Sequence, residues 1–141
     1  MLPKLSRWLS PLGAVLLTGA LWGIWHAPFI VMGYNYGPGH PLAGMLAMIV
    51  FCMAVGCIQG LIFFRVRSIW PAALLHAALN ALDLCAPSDL FMSGPSNPFV
   101  GPDLIGLVGG AGLLVAALVS ATSLANSGKT WTENEFSEEK P

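Results

Sequence analysis

Long apolar runs alternate with short polar stretches along this chain. Because polar backbone groups in lipid must be hydrogen-bonded within the segment itself, apolar runs of roughly 20 residues predict membrane-spanning helices. Four such runs are present, the third of them short: residues 12–33, 42–64, 69–84 and 104–125. The pattern predicts an all-α fold, a multi-pass transmembrane bundle of about four helices.

Composition leads to the same class. Hydrophobic residues make up 55% of the 141 residues and charged residues 9%, whereas charged residues are about 25% of an ordinary soluble domain. The mean hydropathy is +0.71. These values argue against a soluble enzyme, and the net charge of −1 gives no reason to expect nucleic acid as a partner. The expected first partner is the lipid bilayer.

The few basic residues predict an orientation. Lys4 and Arg7 precede the first run, and Arg65 and Arg67 separate the second from the third, whereas the loops 34–41 and 85–103 contain no Lys or Arg. Since cytoplasmic loops carry the excess of Lys and Arg, both termini are predicted to be cytoplasmic. We therefore expect an integral, multi-pass protein of the plasma membrane, with one domain over residues 1–125.

The two ends of the chain are interpreted separately. Residues 126–141 are polar and acidic and are predicted to form a cytoplasmic tail. Lys4 and Arg7 followed by an apolar stretch also resemble a signal peptide, but the apolar run is longer than such peptides require and no convincing small-x-small cleavage site follows it.

Small residues recur at helical spacing in all four runs. Such stripes let helix backbones approach closely in lipid, so we expect compact packing within the chain, and homodimerisation through the same stripes stays open. The stripes are Gly19 and Gly23 in the first run, Gly56 and Gly60 in the second, Ala73, Ala77 and Ala81 in the third, and Gly106 and Gly110 in the fourth.

Polar side chains inside the apolar runs are the candidate functional residues, because an ionisable group in a membrane helix is costly. His26 lies in the first run and His76 in the third. Asn80 follows His76 by four residues and therefore shares its helix face. Asp83 continues this polar stripe toward the end of the run. The competing interpretation is that each histidine is a hydrogen-bonded packing residue.

The surroundings of His26 predict a break in the first helix. Trp22 lies four residues before His26 and Pro28 two residues after it. A proline cannot donate a backbone hydrogen bond, so the carbonyl of Ile24 loses its helical donor. Inside a membrane, the free backbone groups of an irregular segment must form hydrogen bonds with other parts of the protein or with water. We therefore expect a polar cavity near His26.

These residues carry a family resemblance. The segment Trp22-Gly-Ile-Trp-His26-Ala-Pro28 resembles the second motif of the CAAX protease and bacteriocin-processing (CPBP, Abi-type) family of intramembrane endopeptidases, and His76-Ala-Ala-Leu-Asn80 resembles its third motif, HxxxN. The separation of the two motifs, by one apolar helix and a basic turn, also matches. The resemblance covers about residues 2–84.

One departure from the family pattern stands out. The family's first motif, EExxxR, precedes these two, but no Glu occurs in this chain before Glu133. Residues 1–5 look like the stretch that follows that motif. The resemblance therefore implies that residues 1–125 are a partial intramembrane protease domain, its C-terminal half, and that the chain as written is inactive.

The resemblance implies a reaction and roles for these residues. Family members hydrolyse peptide bonds of membrane-associated substrates, prenylated proteins among them, with a glutamate as the general base for water. Carried over, His26 positions the water, His76 and Asn80 bind the oxyanion, and Trp22 and Pro28 have packing roles. His26 and His76 are the only candidate metal ligands, fewer than the three protein ligands of a typical catalytic zinc. No cofactor is assigned, and a divalent metal such as zinc stays open.

Two other functions fit the pattern. One is a non-enzymatic membrane immunity or scaffold protein of the same ancestry, which keeps the helix bundle without the catalytic glutamates. The other is a haem or metal-ion carrier that uses His26 and His76 as ligands from two helices.

Overall fold

A computed structural model describes residues 1–127, and all the regular secondary structure in this part of the chain is helical. This confirms the predicted all-α class. The predicted tail, from residue 128 onward, lies outside the described residues. The helices are α1 (Leu2–Leu5), α2 (Pro11–Trp25), α3 (Ala27–Val31), α4 (Pro41–Val66), α5 (Trp70–Leu84), α6 (Pro87–Phe91) and α7 (Ala111–Asn126).

Helix α4 is the centre of the fold. Both α2 and α7 pack extensively along it, and α5 makes a smaller contact with it. Two clusters of buried side chains join these elements. One lies among α2, α4 and α7 and the other among α3, the loop before α4, and α4 itself: Val15, Cys57, Phe64 and Leu124 in the first, Ile30, Tyr36, Met48 and Cys52 in the second.

Within residues 1–127, α4 is the one helix that is both long and apolar enough to cross a membrane. Its 26 residues extend for about 39 Å at about 1.5 Å per residue, more than the roughly 30 Å of a bilayer's hydrocarbon core. Helices α2 and α7 are apolar but have only 15 and 16 residues. The expected number of four spanning helices is therefore not confirmed.

The first apolar run is divided where Pro28 predicts a break. Helix α2 ends at Trp25, His26 caps its C-terminus, and α3 begins at Ala27 with Pro28 in its first turn. The chain then turns at Gly33, whose φ of 91° is in the left-handed region. Residues 12–33 therefore form an interrupted helix and not one continuous span.

The fourth apolar run is helical only from Ala111, so the predicted start near residue 104 is wrong. Its glycines serve a folded loop instead of a helix face, and the expected GxxxG packing there is wrong as well. A Cβ on Gly106 would meet the carbonyl oxygen of Gly101, and one on Gly110 would lie 2.7 Å from the carbonyl oxygen of Leu104. The loop folds back on itself where these side chains are absent.

The glycine stripe of α2 packs as predicted. A Cβ on Gly19 would lie 2.7 Å from the Cα of Met53, and one on Gly23 would lie 2.5 Å from the Cα of Ile49. The backbones of α2 and α4 are therefore in direct contact. The alanine stripe of α5 behaves differently, because Ala73, Ala77 and Ala81 are exposed in the described part of the chain.

Tyr36 lies in the loop between α3 and α4 and is only 1% exposed. Its ring stacks on Phe99 with centroids 5.0 Å apart. Its hydroxyl has no hydrogen-bond partner among the described residues. Burial, with smaller contributions from Cys52 and Asp83, raises the pKa of Tyr36 to about 12.

Replacing Tyr36 with phenylalanine is therefore expected to leave the free energy of unfolding unchanged or to raise it by about 1 kcal/mol, since a buried hydroxyl without a partner is unfavourable. Chemical unfolding in detergent measures this. Tyr36→Ala is the matched contrast and should cost about 3–5 kcal/mol because it removes the stacked ring. A loss of more than about 1 kcal/mol in Tyr36→Phe would show that the hydroxyl is bonded in the folded protein.

Candidate active site

The break between α2 and α3 fixes the ring of His26. The backbone N–H of His26 donates to the carbonyl of Gly23 at 3.1 Å, and the carbonyl of Trp22 is 2.8 Å from the ring Nδ1 instead. A carbonyl only accepts, so Nδ1 carries the hydrogen. In the neutral imidazole, Nε2 therefore keeps a lone pair for a second partner.

The indole of Trp22 connects the two candidate histidines. Its ring centroid is 5.7 Å from that of His26 on its own helix and 5.1 Å from that of His76 on α5. Trp25 also contacts His26, edge-on, with ring centroids 5.3 Å apart. Trp22 thus contacts both candidate histidines, His26 of the second motif and His76 of the third.

Helix α5 carries His76 and Asn80 but contains no buried residue. One hydrogen bond between side chain and backbone joins it to α4, from Nε2 of Gln59 to the carbonyl of Ala72 at 3.4 Å. Ala72 lies one helical turn before His76. Gln59 and the Trp22–His76 ring contact therefore fix the position of His76 in the described part of the chain.

One cavity of about 260 Å³ gathers the predicted site residues. His26 from the α2–α3 break and His76 and Asn80 from α5 all line it, with Trp22 between them. This agrees with the cavity expected near His26. Pro28 is exposed and does not line the cavity, so its contribution is the helix break. The catalytic roles of the three polar residues stay predictions.

The electrostatic character of the cavity comes from Asp83. It is the one carboxylate among the lining residues of the described chain, which include no Lys or Arg. Oδ2 of Asp83 accepts a hydrogen bond from Nδ2 of Asn35 at 3.4 Å. The remaining walls are mainly aromatic and aliphatic: Trp25, Phe29, Tyr34, Met48, Phe51, Cys52, Leu79, Leu104 and Ile105.

A second and larger cavity, of about 600 Å³, touches the same Trp22 and His76 and is more apolar. It runs between α2, α4 and α5 toward the N-terminus of the chain. Its polar members are few, with Thr18 and Gln59 beside His76, and its walls include Val15, Phe63 and Ile69. A larger and more apolar space therefore adjoins the cavity that His26, His76 and Asn80 line.

The described residues offer few side chains that could bind a metal ion. Within residues 1–127, no three His, Cys, Asp or Glu side chains are grouped so that they could hold a metal ion. His26 and His76 both face the first cavity, but a catalytic zinc typically has three protein ligands. The described residues therefore do not form a complete zinc site.

Sequence reasoning did not find Asn35. It has a φ of 65° in the turn after α3, and its side chain reaches Asp83 across a long stretch of sequence. The only signal was its place between Tyr34 and Tyr36, in a loop otherwise rich in Gly and Pro. A left-handed asparagine in a turn is common, so this signal does not single it out.

Gln59 gives a prediction about the geometry of the site. Gln59→Leu removes the bond to Ala72, and the Trp22–His76 contact should loosen while the fold is retained. We expect the ring resonances of His76 in the NMR spectrum to shift toward those of an exposed histidine. Gln59→Asn, which keeps the amide on a shorter chain, should shift them less. Unchanged His76 resonances in Gln59→Leu would contradict this role.

Residues 1–127 are therefore helical, with one helix of membrane-spanning length, and two histidines and an asparagine line a cavity between the helices. The sequence of the chain matches the type II CAAX prenyl endopeptidase Rce1-like family over residues 1–82. The chain belongs to this membrane-embedded family of proteases, which confirms the resemblance seen in its motifs. No curated protein and no solved structure matches the chain.

Proposed function

We propose that the chain carries the substrate-binding and oxyanion-stabilising part of an intramembrane endopeptidase of the CAAX prenyl protease type. The reaction is hydrolysis of peptide bonds in membrane-associated substrates by an activated water. One observation carries this proposal: His26 at the α2–α3 break and His76 and Asn80 on α5, which belong to the two family motifs, line one cavity.

The roles follow from the geometry of each group. His26 holds its Nδ1–H on the Trp22 carbonyl, so Nε2 is the atom that positions the water. His76 and Asn80 share a face of α5 and offer N–H donors to the oxyanion of the tetrahedral intermediate. Donors of this kind, aimed where negative charge develops, commonly supply the largest single contribution to such reactions.

The general base is the missing element. The cavity contains no Glu, and the family's EExxxR motif does not occur in the 141 residues. We propose that a segment with this motif supplies the base, and that the 141 residues alone are inactive. Loss of a general base typically costs 10²–10⁴-fold in rate. The exposed alanine face of α5 is a surface on which such a helix can pack closely.

The apolar cavity beside His76 supports a lipid-like or membrane-embedded substrate, because it offers about 600 Å³ of mainly apolar space. The proposed setting is a multi-pass protein of the plasma membrane with both termini in the cytoplasm. Arg65 near the end of α4, together with Lys4 in α1, marks the cytoplasmic side by the positive-inside rule.

The test is complementation. The chain is reconstituted in vesicles with a quenched fluorescent peptide that ends in a prenylated CAAX sequence. It is assayed alone and after extension at its N-terminus by a helix carrying Glu-Glu-x-x-x-Arg. We expect cleavage only with the extension, and none when both glutamates of the extension are replaced by glutamine. A folded, extended chain that cleaves nothing would overturn the proposal.

The second candidate is a non-enzymatic immunity or scaffold protein of the same ancestry. The observation that favours it is the lack of any Glu among the described residues that line the cavity. It predicts that the extended chain stays inactive on every membrane peptide tested while it still binds a partner protein.

A further inference from the structure

We propose that the Asp83 end of the 260 Å³ cavity binds a positively charged group, the ammonium or guanidinium of a lysine or arginine side chain in the peptide substrate. This inference rests on the proposed function and adds a sequence preference to it. Three observations carry it: a continuous wall of aromatic rings, an accessible carboxylate at its end, and the absence of Lys and Arg from the cavity lining in residues 1–127.

The aromatic wall begins at the candidate histidines and leads away from them. Trp25 contacts His26 at 5.3 Å between ring centroids, Phe29 contacts Trp25 at 5.7 Å, and Tyr34 contacts Phe29 at 6.1 Å. All of these rings line the cavity. The faces of Trp, Tyr and Phe rings attract cations, Trp most strongly, and cages of such rings are used to bind ammonium groups.

The wall ends beside a carboxylate. Asn35, the residue after Tyr34, donates its side-chain amide to Asp83 at 3.4 Å. This single long bond to a neutral group leaves the negative charge of Asp83 uncompensated by any cation in the cavity lining of the described chain. Asp83 is exposed, so an incoming cation can reach it. A negative charge beside aromatic faces favours a cation over a neutral or anionic group.

The distance to the reaction centre indicates where the charge lies in the substrate. Asp83 follows His76 by seven residues on one helix, which is about 10 Å along the helix axis. An extended peptide covers this distance with about three residues. We therefore expect the preferred lysine or arginine within about three residues of the cleaved bond.

Peptide binding tests the subsite without any need for cleavage. The purified chain is kept in a neutral maltoside detergent. Two acetylated, amidated and labelled peptides are compared by fluorescence anisotropy, one with a single lysine and one with norleucine in its place. We expect the lysine peptide to bind about tenfold more tightly, a difference of about 1.4 kcal/mol. Equal affinities would overturn the proposal.

Two substitutions test whether Asp83 is responsible for the preference for the lysine peptide. Asp83→Asn should reduce the affinity for the lysine peptide to that for the norleucine peptide and leave the latter unchanged. Asp89→Asn is the matched control, because Asp89 in α6 is also a carboxylate in the neighbouring part of the chain but does not line the cavity. Equal losses in the two variants would mean that net charge alone attracts the peptide, which would contradict the proposal.

A second pair of variants tests the contribution of the aromatic rings to lysine binding. Phe29→Leu should weaken lysine-peptide binding by a few fold, whereas Phe91→Leu, an exposed residue outside the cavity, should not. A choline headgroup is the other source of a cation at this site. If phosphocholine binds but the lysine peptide shows no preference over norleucine, the site recognises lipid and the substrate proposal fails.

Failure of this subsite and failure of the proposed function give different results. If the extended chain cleaves lysine and norleucine peptides with equal kcat/KM and binds them equally, the subsite is wrong and the endopeptidase stands. If the extended chain cleaves nothing but the Asp83-dependent preference is measured, the subsite stands and the endopeptidase is wrong.

Discussion

Cleavage by the chain extended with the Glu-Glu-x-x-x-Arg helix is expected to fall at least about 10²-fold when His76 is replaced by alanine. The imidazole of His76 is one of two side-chain donors that we assign to the oxyanion, and its loss leaves the developing charge with Asn80 alone. The fall should appear in kcat rather than in KM, because the interaction forms in the transition state. His26→Ala should cause a loss of similar size by releasing the water.

His40→Ala is the control for these two variants. His40 is exposed in the loop before α4 and does not line either cavity described above, so its replacement should leave kcat and KM within about twofold of the original values. Circular dichroism of each variant in detergent checks that the helices persist. A folded His76→Ala variant with near-normal kcat would show that the assignment of the oxyanion site is wrong.

Replacing Gly23 with valine is expected to lower the free energy of unfolding by about 3 kcal/mol or to prevent folding. Even the Cβ of the new side chain would lie 2.5 Å from the Cα of Ile49 on α4. Backbone atoms of a packed helix cannot move aside, so α2 must separate from α4. Since Trp22 and His26 lie on either side of Gly23, the cavity should be lost as well. Unfolding in detergent, followed by circular dichroism, measures the change.

Gly112→Val is the matched control, the same substitution in helix α7. A Cβ at Gly112 would meet nothing within 4 Å, so the unfolding free energy should change by no more than about 0.5 kcal/mol, and valine has the slightly better helix propensity. Equal destabilisation by the two variants would mean that the side chain itself, and not contact between α2 and α4, is responsible.

The stability prediction holds whether or not the chain is an enzyme, whereas the His76 prediction requires the endopeptidase. A stable, well-folded bundle that stays inactive with the glutamates supplied would leave the scaffold function as the better one. The Gly23 result in that case would still establish that close contact between α2 and α4 stabilises the fold.

Much of the fold could be predicted from the order of residues because the relevant signals are local. Apolar runs of the required length predict helices, and α4 matches its predicted run at both ends within two residues. Pro28 predicts the helix break because a proline lacks its backbone donor whatever surrounds it. His26, His76 and Asn80 could be selected because polar groups are rare in apolar helices and because they fit two spaced motifs.

Tertiary structure decided the rest, because the outcome depends on atoms that are distant in sequence. Gly106 and Gly110 have the spacing of a helix-packing motif, yet nearby loop carbonyls occupy the space where their side chains would be. The glycines of α2 meet α4, whereas the alanines of α5 remain exposed. The Asn35–Asp83 bond and the place of Trp22 between two histidines also require helices to meet. Periodicity shows which residues share a face, but only interhelical packing determines what that face contacts.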